Sequence, residues 1–355
     1  MDPAFWGGRK IFITGHTGFK GGWISLWLGQ LGAKVTGYSL EAPTLPSMFH
    51  VSKVDGVLEK SIHGDIRDAE TLTNAMLEAE PEIVIHMAAQ SLVRESYADP
   101  AGTYSTNVMG TVNLLEAVRK TPSVKAVLNI TSDKCYENKE WIWGYRENES
   151  MGGHDPYSSS KGCAELVSSA YRKSFMRDAG IALATARAGN VIGGGDWAKD
   201  RIVPDAISAF IENRPLIIRN PMAVRPWQHV LEPLSGYLML CQQLINHPEG
   251  YAEGWNFGPN DEDAQPVSSL ADTMVKFWDD NAQWLLDNAA NPHEARYLKL
   301  DCSRANALLK WVPVWGLDRA LNETVQWYKA WHNQGDMYKF TLRQIEAYQQ
   351  EHLSG

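Results

Sequence analysis

Cysteine is scarce: four thiols in 355 residues, Cys135, Cys163, Cys241 and Cys302. No C-x-x-C spacing occurs among them, so neither a zinc centre nor a redox pair is supported, and no metal site is expected. Free thiols suit a reducing compartment. No run approaches the ~20 apolar residues that span a bilayer, and the N-terminus lacks a charged segment followed by a long apolar one. Basic excess is also missing. Lys and Arg number 33 against 42 Asp and Glu, a net charge of −9, which argues against general affinity for nucleic acid or membrane surfaces. Internal repeats and low-complexity tracts are absent. These gaps lead to the expectation of a soluble, cytoplasmic protein.

What is present is ordinary in bulk, with 44% hydrophobic and 21% charged residues, but 14 are Trp. The length exceeds one compact core. Short apolar runs alternate with helical stretches through the first half. Strands are predicted at 10–14, 34–39, 57–62 (the weakest), 83–87, 126–130 and 182–188, and helices at 21–31, 68–78, 101–119 and 157–175. Uniformly apolar strands separated by helices predict an α/β fold, a Rossmann-type doubly wound parallel sheet with both faces covered. Ligands then sit beyond the carboxyl ends of the strands. After about Asn190 the alternation fades into Gly- and Pro-rich loops. Residues 1–190 are therefore expected to form the dinucleotide-binding domain. Residues 191–355 would form mainly a smaller substrate lobe, with 228–258 returning to the sheet.

The stretch T-G-H-T-G-F-K-G, residues 14 to 21, follows the first strand and opens a helix. Gly15 suits a tight turn, Gly18 a backbone approach to pyrophosphate, and Gly21 close helix–strand packing, with the helix N-terminus facing the phosphates. A ribose-reading acid is expected where the second strand ends, but Ser39 stands there and Glu41 comes late. That position leaves NAD versus NADP open. Asp65-Ile66 suits an adenine contact, and Ala88-Ala89-Gln90 offers small side chains at the end of the fourth strand. Tyr157 and Lys161 form Y-x-x-x-K on one helical face. A phenol is a poor base at neutral pH, and a nearby ammonium, aided by a cationic nicotinamide, is expected to bring its pKa down toward the working range. Ser132, Asp133 and Lys134 follow the fifth strand directly. A diphosphate ligand would need cations, with Arg201, Arg219, Arg225 and Arg296 as candidates, and Asn190 could bond a phosphate or sugar oxygen.

GHTGFKG, GDIRD, HMAAQ, YSTNVMGTVNLLEA, PYSSSK and ARAGNVIGGGDW together resemble the extended short-chain dehydrogenase/reductase family. TSDKCYENKEW, APTLPSMF and GGGDWAKDRIVPD resemble its nucleotide-sugar dehydratase branch, through nearly the whole chain. The resemblance implies NAD as cofactor, with contacts from Gly15, Thr17, Gly18, Phe19, Lys20, Gly21, Ser39, Asp65, Ile66, Ala88, Ala89, Gln90, Asn107, Thr131, Tyr157, Lys161 and Ala188. It implies CDP-glucose as substrate, held by Ser91, Asn190 and the four arginines, and a place in deoxysugar biosynthesis of the lipopolysaccharide O-antigen type. The implied chemistry loses water from the hexose. Tyr157, assisted by Ser132, takes the O4 proton. Asp133 is the acid toward O6 and Lys134 the base at C5. Related dTDP-glucose enzymes carry Thr, Asp and Glu where this chain has Ser132, Asp133 and Lys134. An amine acts as a base only when neutral, so Asp133 and Lys134 are expected to titrate as a coupled pair. The resemblance also implies a homodimer or dimer of dimers, through helices 101–119 and 157–175. A hexose 4-epimerase or reductase would leave Asp133 and Lys134 without a task. A non-catalytic dinucleotide sensor would not need the Tyr157–Lys161 pair.

Overall fold

Each apolar run of the first half becomes a strand of one sheet. A computed structural model of the chain describes residues 1–278, 282–287 and 298–354. Six strands are β1 (Lys10–Thr14), β2 (Lys34–Ser39), β3 (Lys60–His63), β4 (Ile83–His86), β5 (Ala126–Ile130) and β6 (Ala182–Arg187). A seventh, Gly254–Asn256, pairs beside β6. From that edge the order runs through β6, β5, β4, β1 and β2 to β3, and every pairing is parallel. The order reverses between β1 and β4. Crossovers leave in opposite directions there and open a crevice at the carboxyl edge. β4, β5 and β6 are buried along their whole length, which is why they read as unbroken apolar runs.

Three expected elements differ in detail. The third strand starts later, at Lys60. Val54–Val57 is instead a 3₁₀ turn, and Val57 is apolar because it packs on Gly29 of the first crossover helix, Phe19–Gln30. The long helix at 101–119 is Pro100–Tyr104 and Gly110–Lys120 joined by a π-type turn at Ser105–Met109. The helix predicted at 157–175 runs Pro156–Tyr171 and also ends in a π-type turn, Arg172–Met176.

The apolar core does not stop at residue 190. One cluster joins Trp23 and Trp27 to Tyr237, Trp255, Trp311, Trp315, Trp327 and Tyr348. The helix Leu231–Asn246 lies on the sheet and the helix Phe19–Gln30 beside it. The last helix, Met337–Ser354, packs Tyr348 edge-on against Trp27, with ring centroids 5.8 Å apart. Among the described residues no helix is long and apolar enough to cross a membrane.

Candidate active site

The turn after β1 admits only glycine. Gly15 has φ +79, and a Cβ there would lie 2.7 Å from the Ala88 nitrogen. A Cβ on Gly21 would come within 2.1 Å of the Gly15 carbonyl oxygen. Backbone at Gly18 thus opens the helix Phe19–Gln30 at the crevice, with Gly18 as its N-cap. Thr14 ties β1 to β4. Its hydroxyl oxygen accepts from the Met87 and Ala88 N–H groups at 3.1 and 3.2 Å. The hydroxyls of Thr17 and Ser39 are 2.7 Å apart, and Thr17 donates to the Leu40 carbonyl. The end of β2 therefore presents a hydroxyl, with Glu41 beyond it near His63. Phe19 is half-buried, its ring against Gly193. The Asp65 carboxylate grips Arg67 at 2.5 Å, and that hydrogen bond holds its pKa below the usual range.

Several expected cofactor contacts turn inward instead. The Asn107 amide is committed: it accepts from Gln90 N–H and donates to the Gln90 carbonyl and the Ser160 hydroxyl. The Gln90 side chain is tied to Leu92 and Thr103. Both residues fix the backbone beyond Ala88-Ala89 rather than extend side chains into the crevice. Ile66 is buried over Gly110, and Ala188 lies in the main core. Thr131 donates at 2.5 Å to Glu165, which pairs with Arg187 at 2.7 Å behind the sheet's edge.

The helix Pro156–Tyr171 is capped by Asp155, whose carboxylate accepts from Ser158 N–H. It buries both Tyr157 and Lys161. The Lys161 ammonium donates to the Ile130 carbonyl at 3.2 Å. Burial lowers its pKa to about 8, against the opposing pull of Glu165. Tyr157 shifts upward in the protein's own surroundings. Burial raises its pKa to about 12, outweighing a hydrogen bond with Ser132 and the charge of Arg201, while Asp133 adds to the rise. The desolvation cost of a phenolate exceeds what these protein groups return.

The chain leaves β5 at the point where three polar residues stand together. Ser132 is still extended, with φ −162 and ψ 157, and Asp133–Cys135 form a 3₁₀ turn. The Ser132 hydroxyl donates to Asp133 Oδ1 at 3.0 Å and accepts from the Lys134 N–H at 3.2 Å. Asp133 is buried, and its Oδ2 meets no donor among the described residues. Gly189 makes room for it: a Cβ on Gly189 would lie 1.8 Å from that oxygen. Lys134 is half-buried without an ion pair among the described residues. A small pocket is lined by Asp133, Gly189, Pro226, Gln228, Asn260 and Lys299, among others. Lys134 is not part of that lining.

The expected substrate cations do not gather at one place. Arg201 pairs with Asp196 at 2.7 Å and donates to Ser91 at 3.2 Å. Its charge reaches Tyr157 and also Lys20, whose pKa falls to about 8, chiefly through burial and then through Arg201 and Lys161. Arg219 faces Asp200 at 3.5 Å, and Arg94 faces the same carboxylate at 2.6 Å. Arg225 stands apart, on a short strand, Val224–Pro226, that ends at the cavity wall. Asn190 holds a left-handed turn, φ 49, and its carbonyl accepts from Gln228 N–H. Arg296 lies outside the described residues. Sequence reading missed Asp196, Gly189, Gln228 and the Glu165–Arg187 pair. Only Glu165 carried a local signal, one helical turn beyond Lys161.

Residues 12–324 match the family model described as GDP-mannose 4,6 dehydratase. The chain belongs to that family. Within it, the chain is 58% identical over 353 residues, 98% of both chains, to the CDP-glucose 4,6-dehydratase of Salmonella typhimurium. It is 26% identical to the dTDP-glucose 4,6-dehydratase of Haemophilus influenzae, over 74% of this chain and 81% of that one. Among solved structures, the Bacillus anthracis dTDP-glucose 4,6-dehydratase in complex with NAD superposes with a TM-score of 0.75 at 22% identity, covering 92% of this chain and 99% of the other. The UDP-glucose 4-epimerase of Thermotoga maritima gives 0.76 at 23% identity, over 91% and 99%. The last two likenesses carry the fold alone: one is to a dehydratase and one to an epimerase, so the chemistry must be argued from the site.

Proposed function

We propose that this chain converts CDP-glucose to CDP-4-dehydro-6-deoxyglucose and water, as a cytoplasmic homodimer or dimer of dimers using NAD. The observation that carries the reading is Asp133: a buried carboxyl, one oxygen held by Ser132 and the other without a donor among the described residues, in the cavity wall beside Tyr157's partner. A 4-epimerase has no step that calls for that group. Cytosine as the base rests on the high identity to the Salmonella enzyme.

The glycine cradle fits a dinucleotide, and Glu41 beyond Ser39 would repel a 2′-phosphate, which favours NAD. Bound there, NAD would supply the hydride acceptor for C4 of the hexose and the hydride donor for C6. The chain's own residues handle the protons. Tyr157, hydrogen-bonded with Ser132, takes the O4 proton; Lys161 and Arg201 bring the positive charge a phenolate needs in a buried site. The 4-ketone makes the C5 proton acidic; Lys134 removes it and returns it to C5 as C6 is reduced. Asp133 gives a proton to the departing O6 hydroxyl. Arg201, Arg219, Arg225 and Arg296, with Ser91 and Asn190, hold the diphosphate and sugar oxygens.

Purified protein with NAD and CDP-glucose should yield a sugar that absorbs strongly in alkali, the mark of a 4-keto-6-deoxy product. CDP-galactose alone would overturn the dehydratase reading in favour of epimerisation. Comparison with dTDP-, UDP- and GDP-glucose tests the base. Lys134→Ala should permit oxidation at C4 and block water loss, so NADH accumulates on the enzyme and is seen by its near-ultraviolet absorbance. Wild-type turnover by that variant would remove Lys134 from the role of base.

A further inference from the structure

Gln228 is buried, 1% exposed, at the start of the short strand Gln228–His229 that pairs with Val191–Ile192. Its amide orientation is fixed. Nε2 donates to the Gly189 carbonyl at 3.2 Å and to the Phe257 carbonyl at 2.9 Å. Reversing the amide would set oxygen against two carbonyl oxygens, so the hydrogen-bond network decides the assignment. Oε1 is thereby committed as an acceptor, and no donor among the described residues reaches it. The same residue lines the cavity that Asp133 lines. Both side chains are anchored around Gly189: Asp133 Oδ2 fills the space of its missing Cβ, and Gln228 bonds its carbonyl.

Two acceptor oxygens without donors thus flank one glycine in a cavity wall. Buried acceptors are normally satisfied, so an exception calls for an explanation. Asp133 has one in the proposed chemistry. Gln228 has none, and a structural role would be complete with its two carbonyl contacts. We infer that Gln228 is a further substrate-binding residue, whose Oε1 accepts a hydrogen bond from a ring hydroxyl of the hexose and sets the sugar's position against Asp133. This rests on the reading that the hexose of CDP-glucose occupies this cavity. A rigid acceptor of this kind discriminates by presence or absence of the hydroxyl, because a ligand lacking it leaves the acceptor buried and unpaired.

The test is steady-state kinetics of wild type and Gln228→Leu with CDP-glucose and its 2-deoxy and 3-deoxy analogues. Wild type should lose about ten- to hundredfold in kcat/KM on one of the two analogues. Gln228→Leu should lose a similar factor on CDP-glucose, mainly through KM, and no longer distinguish that analogue from it. A uniform loss on all three sugars, with discrimination intact, would make Gln228 a purely structural residue and overturn the inference. If Gln228→Leu fails to fold, a crystal structure of wild type with CDP-xylose decides: a sugar hydroxyl within hydrogen-bond distance of Oε1 supports the assignment, and its absence overturns it. If wild type forms no 4-keto-6-deoxy product from CDP-glucose, the underlying reading fails first, and this failure is distinguishable from the other.

Discussion

At the scale of single residues, the site is defined as much by missing side chains as by present ones. Gly189 has neither a turn nor a cofactor to explain it; it exists because Asp133 Oδ2 occupies the position of its Cβ, 1.8 Å away. Gly189→Ala must therefore push Asp133 aside. The displaced atom is a short side chain's carboxylate, hydrogen-bonded to Ser132, so it has little freedom to yield. The expected outcome is a folded protein whose dehydration rate falls by at least ~100-fold, since small misplacements of a reacting group cost that much. NAD should still bind, because the glycine cradle lies elsewhere, and a fluorescence titration would check that. A variant with wild-type kcat would show that Asp133 tolerates displacement and is not the acid. Tyr157 makes the complementary point. Its spacing from Lys161 is legible in the sequence; its burial, which raises the phenol's pKa to about 12 against the protein's own charges, is not. Periodicity shows which residues share a face; it does not show how much water each retains.

At the scale of elements, legibility followed burial. β1, β2 and β5 were readable to the residue because their apolar runs coincide with sheet positions. β3 was displaced because Val57 owes its apolar character to a helix contact, and the sheet edge itself is polar. Of the site, the glycine loop and the Ser132–Lys134 loop were visible as local strings. Asp196, whose partner Arg201 is only five residues on, carried no pattern of its own. Gln228 was not visible, because its side chain acquires its meaning from Gly189 and Phe257, both far along the chain. Glu232, in the first turn of Leu231–Asn246, is another such residue. Its carboxylate accepts from the Val314 and Trp315 N–H groups and from the Tyr348 hydroxyl, joining three elements. Burial raises its pKa from 4.5 to about 7. Between those values the folded state keeps a proton that the unfolded state has released, so this contribution to stability is full below about 4.5 and lost as pH rises through about 7. Its size is about 3 kcal/mol. Glu232→Gln should flatten that decline, read as denaturant midpoints between about pH 5 and pH 8. Parallel curves for variant and wild type would contradict the assignment.

At the scale of the whole molecule, the many Trp do not chiefly line a cleft. Six of them, Trp6, Trp23, Trp27, Trp255, Trp311 and Trp327, are among the largest fully buried side chains. They fuse the carboxyl-terminal half to the sheet through one core, so the walls that hold the sugar are braced against the walls that hold the cofactor. The opposite side of the sheet is different. There the helix pair Gly110–Lys120 and Pro156–Tyr171, with the π-type turns beside it, leaves Met109, Leu166 and Phe175 exposed at 52%, 61% and 41%. Tyr171 bonds Glu116, and Arg119 covers the Phe175 ring at 4.3 Å, so the two helices are locked to each other while their apolar side chains still face outward. Exposed apolar side chains gathered on adjacent helices mark an association surface, and two such helices from each of two subunits would make a four-helix contact. Leu166→Glu places a charge in the middle of that contact. Sedimentation equilibrium is expected to show wild type as a dimer and the variant's association weakened by at least ~100-fold. Circular dichroism should remain unchanged, because Leu166 contributes nothing to the core. A Leu166→Glu protein that sediments as wild type would move the contact elsewhere on the surface, and the helix pair would then need another explanation for its apolar face.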